Sequence, residues 1–310
     1  MSVFFVSSPE KILALFSKKL REPDYIRLHD SDIGMILNLY RMKIKFLRIL
    51  LFSFLLLGNR QESFGQYESR LWNSFSVGAP LTDNLSIKGS YLKSLDLSSP
   101  EVQTSFNWYS LRLGYQINKD LTVDFGTAWM NLPTSNRTTN RIFVEGNHRI
   151  KLDKRFSLKN SLQFERHNDQ ETRFDYRFIL SSRIGLRKRL DFLKVAPSLS
   201  YSMFYNIGGA PIRYFNEQGE EFARNAANGF HRGRIMANFN FKLSDPLRLS
   251  VYYMNQHEFN LVLSQTNKIN VENPNNGRTQ RPFNNQHIIG IALSYQFKGL
   301  KGEGFLPINF

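Results

Sequence analysis

Between Thr172 and Leu186 the chain reads TRFDYRFILSSRIGL, and with a period of two it separates into unlike faces. Phe174, Tyr176, Phe178, Leu180, Ile184 and Leu186 fall on one side, with Ser182 the one polar member. Arg173, Asp175, Arg177, Ser181 and Arg183 fall on the other, interrupted by Ile179 and Gly185. Successive side chains of a strand point to opposite sides, so the pattern predicts a strand with one apolar and one charged surface. It is longer than the usual five or six residues. The apolar surface is either the core side of a soluble sandwich or the lipid side of a transmembrane barrel whose charges line the lumen.

The amino end favours the second. Within residues 42–66, MKIKFLRILLFSFLLLGNRQESFGQ, three basic residues (Lys43, Lys45, Arg48) precede an apolar run from Ile49 to Leu57. Ser63-Phe64-Gly65 then offers a small-x-small cleavage site, which completes the three parts of a secretory signal peptide. The apolar run is far short of the ~20 residues a membrane helix needs. Residues 1–41 read as an upstream extension before a start at Met42, 42–65 as the signal, 66–298 as the exported domain and 299–310 as a tail. The charge of +15 would point to nucleic acid or an anionic surface. Residues 1–65 carry ten Lys/Arg and six Asp/Glu, leaving +11 on the rest, and an exported protein does not meet the genome. The absence of cysteine excludes disulfides and thiolate chemistry. A mean hydropathy of −0.37 argues against membrane helices but not against a barrel, where only alternate residues face lipid.

From Tyr67 onward, alternating segments recur, separated by turn residues. Tyr109, Leu111, Leu113, Tyr115 and Ile117 oppose Ser110, Arg112, Gly114 and Gln116. Asn118-Lys119-Asp120 then turns the chain into Leu121, Val123, Phe125 and Trp129, a hairpin by pattern and turn type. Short turns at 118–120, 151–155, 187–191 and 244–246 alternate with longer loops at 131–140, 206–229 and 259–285, with 168–171 an exception. Short turns on one rim and long loops on the other are the habit of outer-membrane barrels, and so is the concentration of Tyr and Trp towards strand ends. Eleven segments can be counted, and bacterial barrels take even numbers, so ten or twelve strands are expected. The predicted fold is a single all-β, antiparallel up-and-down transmembrane barrel, monomeric, in the cell outer membrane.

The motifs Phe164-Glu165-Arg166, Arg173-Phe174-Asp175-Tyr176-Arg177 and Arg183, with Leu71-Trp72 at the start and Gly290-x-x-Leu293-x-Tyr295-x-Phe297 at the end, resemble the DUF2490 family. The resemblance covers roughly Tyr67 to Phe297 and implies an outer-membrane barrel of the kind found in Bacteroidetes-type bacteria. The last segment also resembles the carboxy-terminal signal read by the barrel-assembly machinery, although here Lys298 to Phe310 continue past the aromatic. Outer-membrane lipid and that machinery are the partners the resemblance implies.

One constellation stands out for function. Arg112, Asp124, Arg141, Glu145, Arg149, Glu165, Arg173, Asp175, Arg177, Arg183, Arg232, Arg234 and Arg248 all fall on the face opposite the apolar one. In a narrow interior, charges persist only when paired, and the planar arginine fork suits that pairing. The cluster is therefore expected to be a salt-bridged lumen, a surplus-positive passage for anionic solutes or a lipid head group, or both. Enzyme readings are weaker. A phospholipase needs a Ser–His–Asn cluster on the outer face; His148 is expected opposite Asn160, but residue 150 is Ile, so no serine stands two along the strand. An omptin-like protease would draw on Asp169, Glu171 and His167, residues that any loop can carry. The remaining histidines lack ligand spacing, and no cofactor motif is present. The reading is a non-enzymatic barrel, either a narrow channel or a structural wall. Its alternatives are a lipid-modifying enzyme and a secreted soluble barrel that binds a ligand.

Overall fold

The computed structural model describes residues 67–98 and 100–297; the expected extension 1–41, the signal at 42–65 and the tail 299–310 lie outside the described residues. Fifteen strands follow in order: β1 Glu68–Pro80, β2 Leu85–Asp96, β3 Gln103–Gln116, β4 Leu121–Leu132, β5 Arg137–Lys151, β6 Phe156–His167, β7 Tyr176–Leu186, β8 Val195–Ile207, β9 Ile212–Phe215, β10 Glu221–Asn225, β11 Gly229–Lys242, β12 Leu247–Leu261, β13 Glu272–Asn273, β14 Arg278–Thr279 and β15 Gln286–Gln296. Eleven of them close into a barrel in the order β1-β15-β12-β11-β8-β7-β6-β5-β4-β3-β2. The other four form two hairpins, β9–β10 and β13–β14, within the two longest loops.

Two expectations are corrected. The wall has eleven strands, not ten or twelve, so the preference for even numbers misled where the segment count did not. An odd number cannot close with every neighbour antiparallel. The seam is accordingly parallel, with β1 against β15 from Glu68↔Gln286 to Gly78↔Gln296.

The local sequence explains the hairpins. At four of the short turns a side-chain oxygen accepts from backbone N–H groups that follow it. Asn118 Oδ1 accepts from Asp120 (2.9 Å) and Leu121 (3.0 Å), and Asp153 Oδ1 from Arg155 (2.7 Å) and Phe156 (2.5 Å). Thr82 Oγ1 and Ser244 Oγ do the same for Leu85 and Leu247. Asx and Ser/Thr turns of this kind fix the reversal, and a fixed reversal fixes the register. Pro197 is accommodated because the β7 pairing ends at Gly185↔Ser198, one residue short of it.

The period of two then sorts the faces. Leu111, Phe125, Val144, Leu162, Leu180, Leu199, Ile235 and Ile291 are exposed around the outside of the barrel. Their strand neighbours are buried or half-buried. The long strand opening the sequence reading is shorter than expected: β7 begins at Tyr176, and the chain from 168 to 175 is irregular. The alternation therefore breaks at its start. Phe174, expected on the lipid side, is 2% exposed among the loops, and Asp175, expected inside, is exposed. The 168–175 connection is thus eight residues long and conforms to the rule of long loops on that rim. The β4–β5 connection goes the other way, reduced to the turn at 133–136.

The interior is not uniformly polar. Trp72, Leu92, Trp108, Ala128, Phe143, Met236, Tyr252, Met254 and Ile288, from eight different strands, pack into one buried apolar cluster across the lumen. Two glycines make the room it needs. Gly290 lies between Trp72 and Tyr252 in register, and a Cβ there would run into the Tyr252 ring; Gly126 stands in the same relation to Phe143. Replacing Gly290 with valine is therefore expected to destabilise the barrel by about 1–3 kcal/mol. Gly146→Val, where a Cβ meets nothing within 4 Å, should be tolerated. The check is heat-modifiable gel mobility of refolded protein after a denaturant series, with the Gly290 variant losing the folded band first.

Candidate functional site

From the long-loop rim to the short-turn rim, the lumen holds four successive environments. At the long-loop rim, three connections (168–175, 208–228 and 262–285) pack on one another through Phe174, Ile212, Tyr214, Ala227, Ile269 and Phe283. Asn270 ties this cap together: its side chain donates to the Phe283 carbonyl (2.9 Å) and accepts from the Phe283 N–H (2.7 Å). Tyr214 donates to the Lys268 carbonyl at 3.0 Å, and burial pushes its hydroxyl up to about 12. Within the 168–175 segment, Glu171 accepts two bonds of 2.8 Å from the Arg173 guanidinium. Burial alone would raise the Glu171 carboxyl, but the bonds and charge of Arg173 outweigh it and hold the group at about 2.

Beneath the cap is an ion network built from neighbouring strands. Glu165 on β6 is fully buried and receives Arg141 from β5 at 3.0 Å and Arg177 from β7 at 2.6 Å, with His167 Nε2 at 3.0 Å. Arg232 pairs with Glu258 at 2.7 Å, and Arg234 donates to Gln256 at 2.9 Å. Aromatic rings cover the guanidinium faces. Arg141 lies 4.2 Å from the centre of the Trp108 ring, Arg177 lies 4.8 Å from Phe174 and 5.3 Å from Phe204, and Arg234 lies 4.8 Å from Phe204. Such stacking is worth more when water is excluded. Next comes the apolar cluster already described.

Below it, a cavity of about 640 Å³ opens among the short turns. Its wall includes Arg112, Asp124, Glu145, Arg149, Arg183 and Arg248 of the predicted charged face. Arg112 holds both acids, Asp124 at 3.2 Å and Glu145 in a still closer pair, and Asn147 donates to Asp124 at 3.0 Å. Arg112 also lies over the Phe143 ring at 4.7 Å, which joins the cavity wall to the apolar layer.

The thirteen residues singled out from sequence therefore do not form one group. Six line this vestibule, and Arg141, Glu165, Arg177, Arg232 and Arg234 form the upper network. Arg173 belongs to the cap, where its guanidinium lies 5.4 Å from the Phe283 ring, and Asp175 is exposed ahead of β7; both were expected on the lumenal side of a strand that starts later. Lys88, Lys159, Arg187 and Arg189 line the vestibule without belonging to the predicted set, although Lys88 and Lys159 sit on the inward parity of β2 and β6. The inward aromatics are likewise outside that set, and parity was the available signal for them.

The enzyme alternatives can be judged on geometry. His148 is directly opposite Asn160, as expected, and Asn160 is directly opposite Ser182, whose hydroxyl donates to it at 2.8 Å. A serine thus exists one strand further on, but asparagine stands between it and the histidine. The strands that carry the histidine and the serine lie two spacings, about 9.6 Å, apart, and the serine hydroxyl is engaged by the asparagine between them. Of the loop acids considered for proteolysis, Glu171 is taken by Arg173, and His167 faces Glu165. His231, His257 and His287 contact the Ala227 carbonyl, Tyr201 and Tyr253 respectively.

The Glu165 site gives a direct measure of the network. Glu165→Gln leaves Arg141 and Arg177 buried beside each other without their shared counter-charge, and is expected to cost about 3–5 kcal/mol. Equilibrium urea unfolding in phospholipid vesicles measures the loss.

Comparison with known proteins adds a family and little else. No curated protein matches the chain. Among solved structures, one described as "KdgM porin" aligns over 58% of this chain and 81% of its own, with 10% identity and a TM-score of 0.33. Acinetobacter baumannii OccAB4 aligns over 58% of this chain and 48% of its own, with 16% identity and a TM-score of 0.28. A family model described as "Protein of unknown function (DUF2490)" matches residues 69–267, and the chain belongs to that family.

Proposed function

We propose that the protein is an outer-membrane β-barrel, non-enzymatic, that admits small anionic solutes through a narrow, gated lumen. The observation that carries this reading is the segregation of charge. Most outward side chains of the wall are apolar, whereas the short-turn half of the lumen is a cavity of about 640 Å³ lined by nine Lys/Arg and four Asp/Glu. Strands of 11–15 residues are long enough to cross a bilayer at barrel tilt. A positive wall in a low-dielectric surround concentrates anions. By the habit of such barrels, the short turns face the periplasm and the capped rim faces outward. Conduction requires the cap and the apolar layer to move, so the channel is closed at rest. The packed apolar layer also favours a second reading, a purely structural barrel.

Planar-bilayer recording of the refolded chain separates the two. The channel reading expects rare, small, anion-selective openings. It also expects a several-fold rise in open time when the loop between Ile207 and Gly229 is replaced by a short Gly-Ser link. Silence in both proteins would leave the structural barrel. The cap should also respond to acid. Because the folded Glu171 carboxyl sits at about 2, below its ordinary 4.5, its contribution is complete above about 4.5 and is lost as pH falls from there towards 2. Hydrogen exchange of residues 208–228, corrected for the intrinsic rate, is expected to accelerate through that window. Glu171→Gln should show the accelerated rate already at pH 7.

A further inference from the structure

Three cations stand side by side on the vestibule wall. Arg149 on β5 is directly opposite Lys159 on β6, and Lys159 is directly opposite Arg183 on β7. A second pair, Lys88 opposite Arg112, lies on β2 and β3. All five line the same cavity. Like charges placed directly across strands weaken a sheet. A wall shaped by stability alone would alternate in sign, as Arg141, Glu165 and Arg177 do in the upper lumen. The two lumenal acids of the vestibule, Asp124 and Glu145, are both drawn to Arg112, on the β3 side of the row. Across the whole lining, nine Lys/Arg face four Asp/Glu, so the surplus does not depend on any one residue lacking a partner.

We infer that the Arg149–Lys159–Arg183 row is a binding site for a small multivalent anion that enters from the short-turn rim. This deepens the anionic-solute reading and rests on it for the sign of the solute. Neighbouring strands are about 4.8 Å apart, so three cationic side chains leave the wall from adjacent strands at that interval. The complementary ligand is compact and carries two or three phosphate or carboxylate groups that the neighbouring side chains can reach together. A cavity of about 640 Å³ is within the range that encloses small-molecule ligands. Arginine at both ends supplies planar forks for these groups, and lysine between them a compact charge.

The test uses the full chain refolded in zwitterionic detergent and isothermal titration with inorganic pyrophosphate, citrate and, as a cationic control, spermidine. Saturable binding of pyrophosphate or citrate, but not spermidine, is expected, and the better of the two anions assigns phosphate or carboxylate as the preferred group. Lys159→Gln and Arg183→Gln should each weaken binding at least tenfold. Lys154→Gln, in the exposed turn outside the cavity, should leave it unchanged. Without ligand, Lys159→Gln is also expected to raise the unfolding midpoint, because it removes a like-charge opposition; a purely structural lysine would lower it. Binding of neither anion at millimolar concentration, or an equal loss in Lys154→Gln, overturns the site. Titration requires no conduction, so a silent bilayer with intact binding would sink the channel alone, and conduction without binding would sink the site alone.

Discussion

A sheet whose outer face is largely apolar leaves the peptide groups of any free edge with nothing polar to pair with, and everything else in this molecule depends on removing that edge. Closure is achieved with eleven strands, and the odd number forces one parallel contact between β1 and β15. Parallel pairing is slightly weaker per residue than antiparallel. The seam runs eleven residues in register, as many as the antiparallel pairing of β1 with β2. It also places Trp72 and Gly290 next to Tyr252 at the point where the apolar layer crosses the lumen.

Once the wall is shut, the interior must reconcile charges with a small, dry space. In the upper half Arg141, Arg177, Arg232 and Arg234 each have a carboxylate or amide at the edge and an aromatic ring on the face, which satisfies both the polar rim and the flat surface of arginine. In the lower half an open cavity stands where the rings would be, except at Phe143, and the acids are too few to balance the bases. One barrel therefore combines a half that behaves like a protein core with a half that behaves like a cleft. The transition falls at Arg112, which holds the acids and lies against Phe143.

Much of this was legible in the sequence because the outside imposes one rule on every strand. Leu111, Phe125, Val144 and Leu180 had to be apolar for the same reason, so the period of two exposed them together. The inside imposes no such rule. Phe143 and Glu145 share the inward face of β5, and Ile179 and Ser181 that of β7, so the pattern located the face without saying how it was filled. Phe174 and Arg173 misled because the alternation continues through 172–175 although the backbone there is not a strand, and the residues that claim them come from loops distant in sequence, Ile212 and Phe283 among them. Lys88 and Lys159 carried the right parity, but their importance lies in what stands across from them, and that needs register.

The parallel seam has a consequence for topology. In an even-stranded barrel the first and last strands run in opposite directions, so both ends of the wall emerge at the same rim. Here β1 starts beside Gln286, at the capped rim, while β15 finishes beside Gly78, among the short turns. Entry to the wall and exit from it therefore lie on opposite sides of whatever the barrel crosses. A label fused just ahead of Glu68 and another just behind Gln296 would answer to reagents in different compartments, and insertion of such a wall has to carry its leading edge across the bilayer.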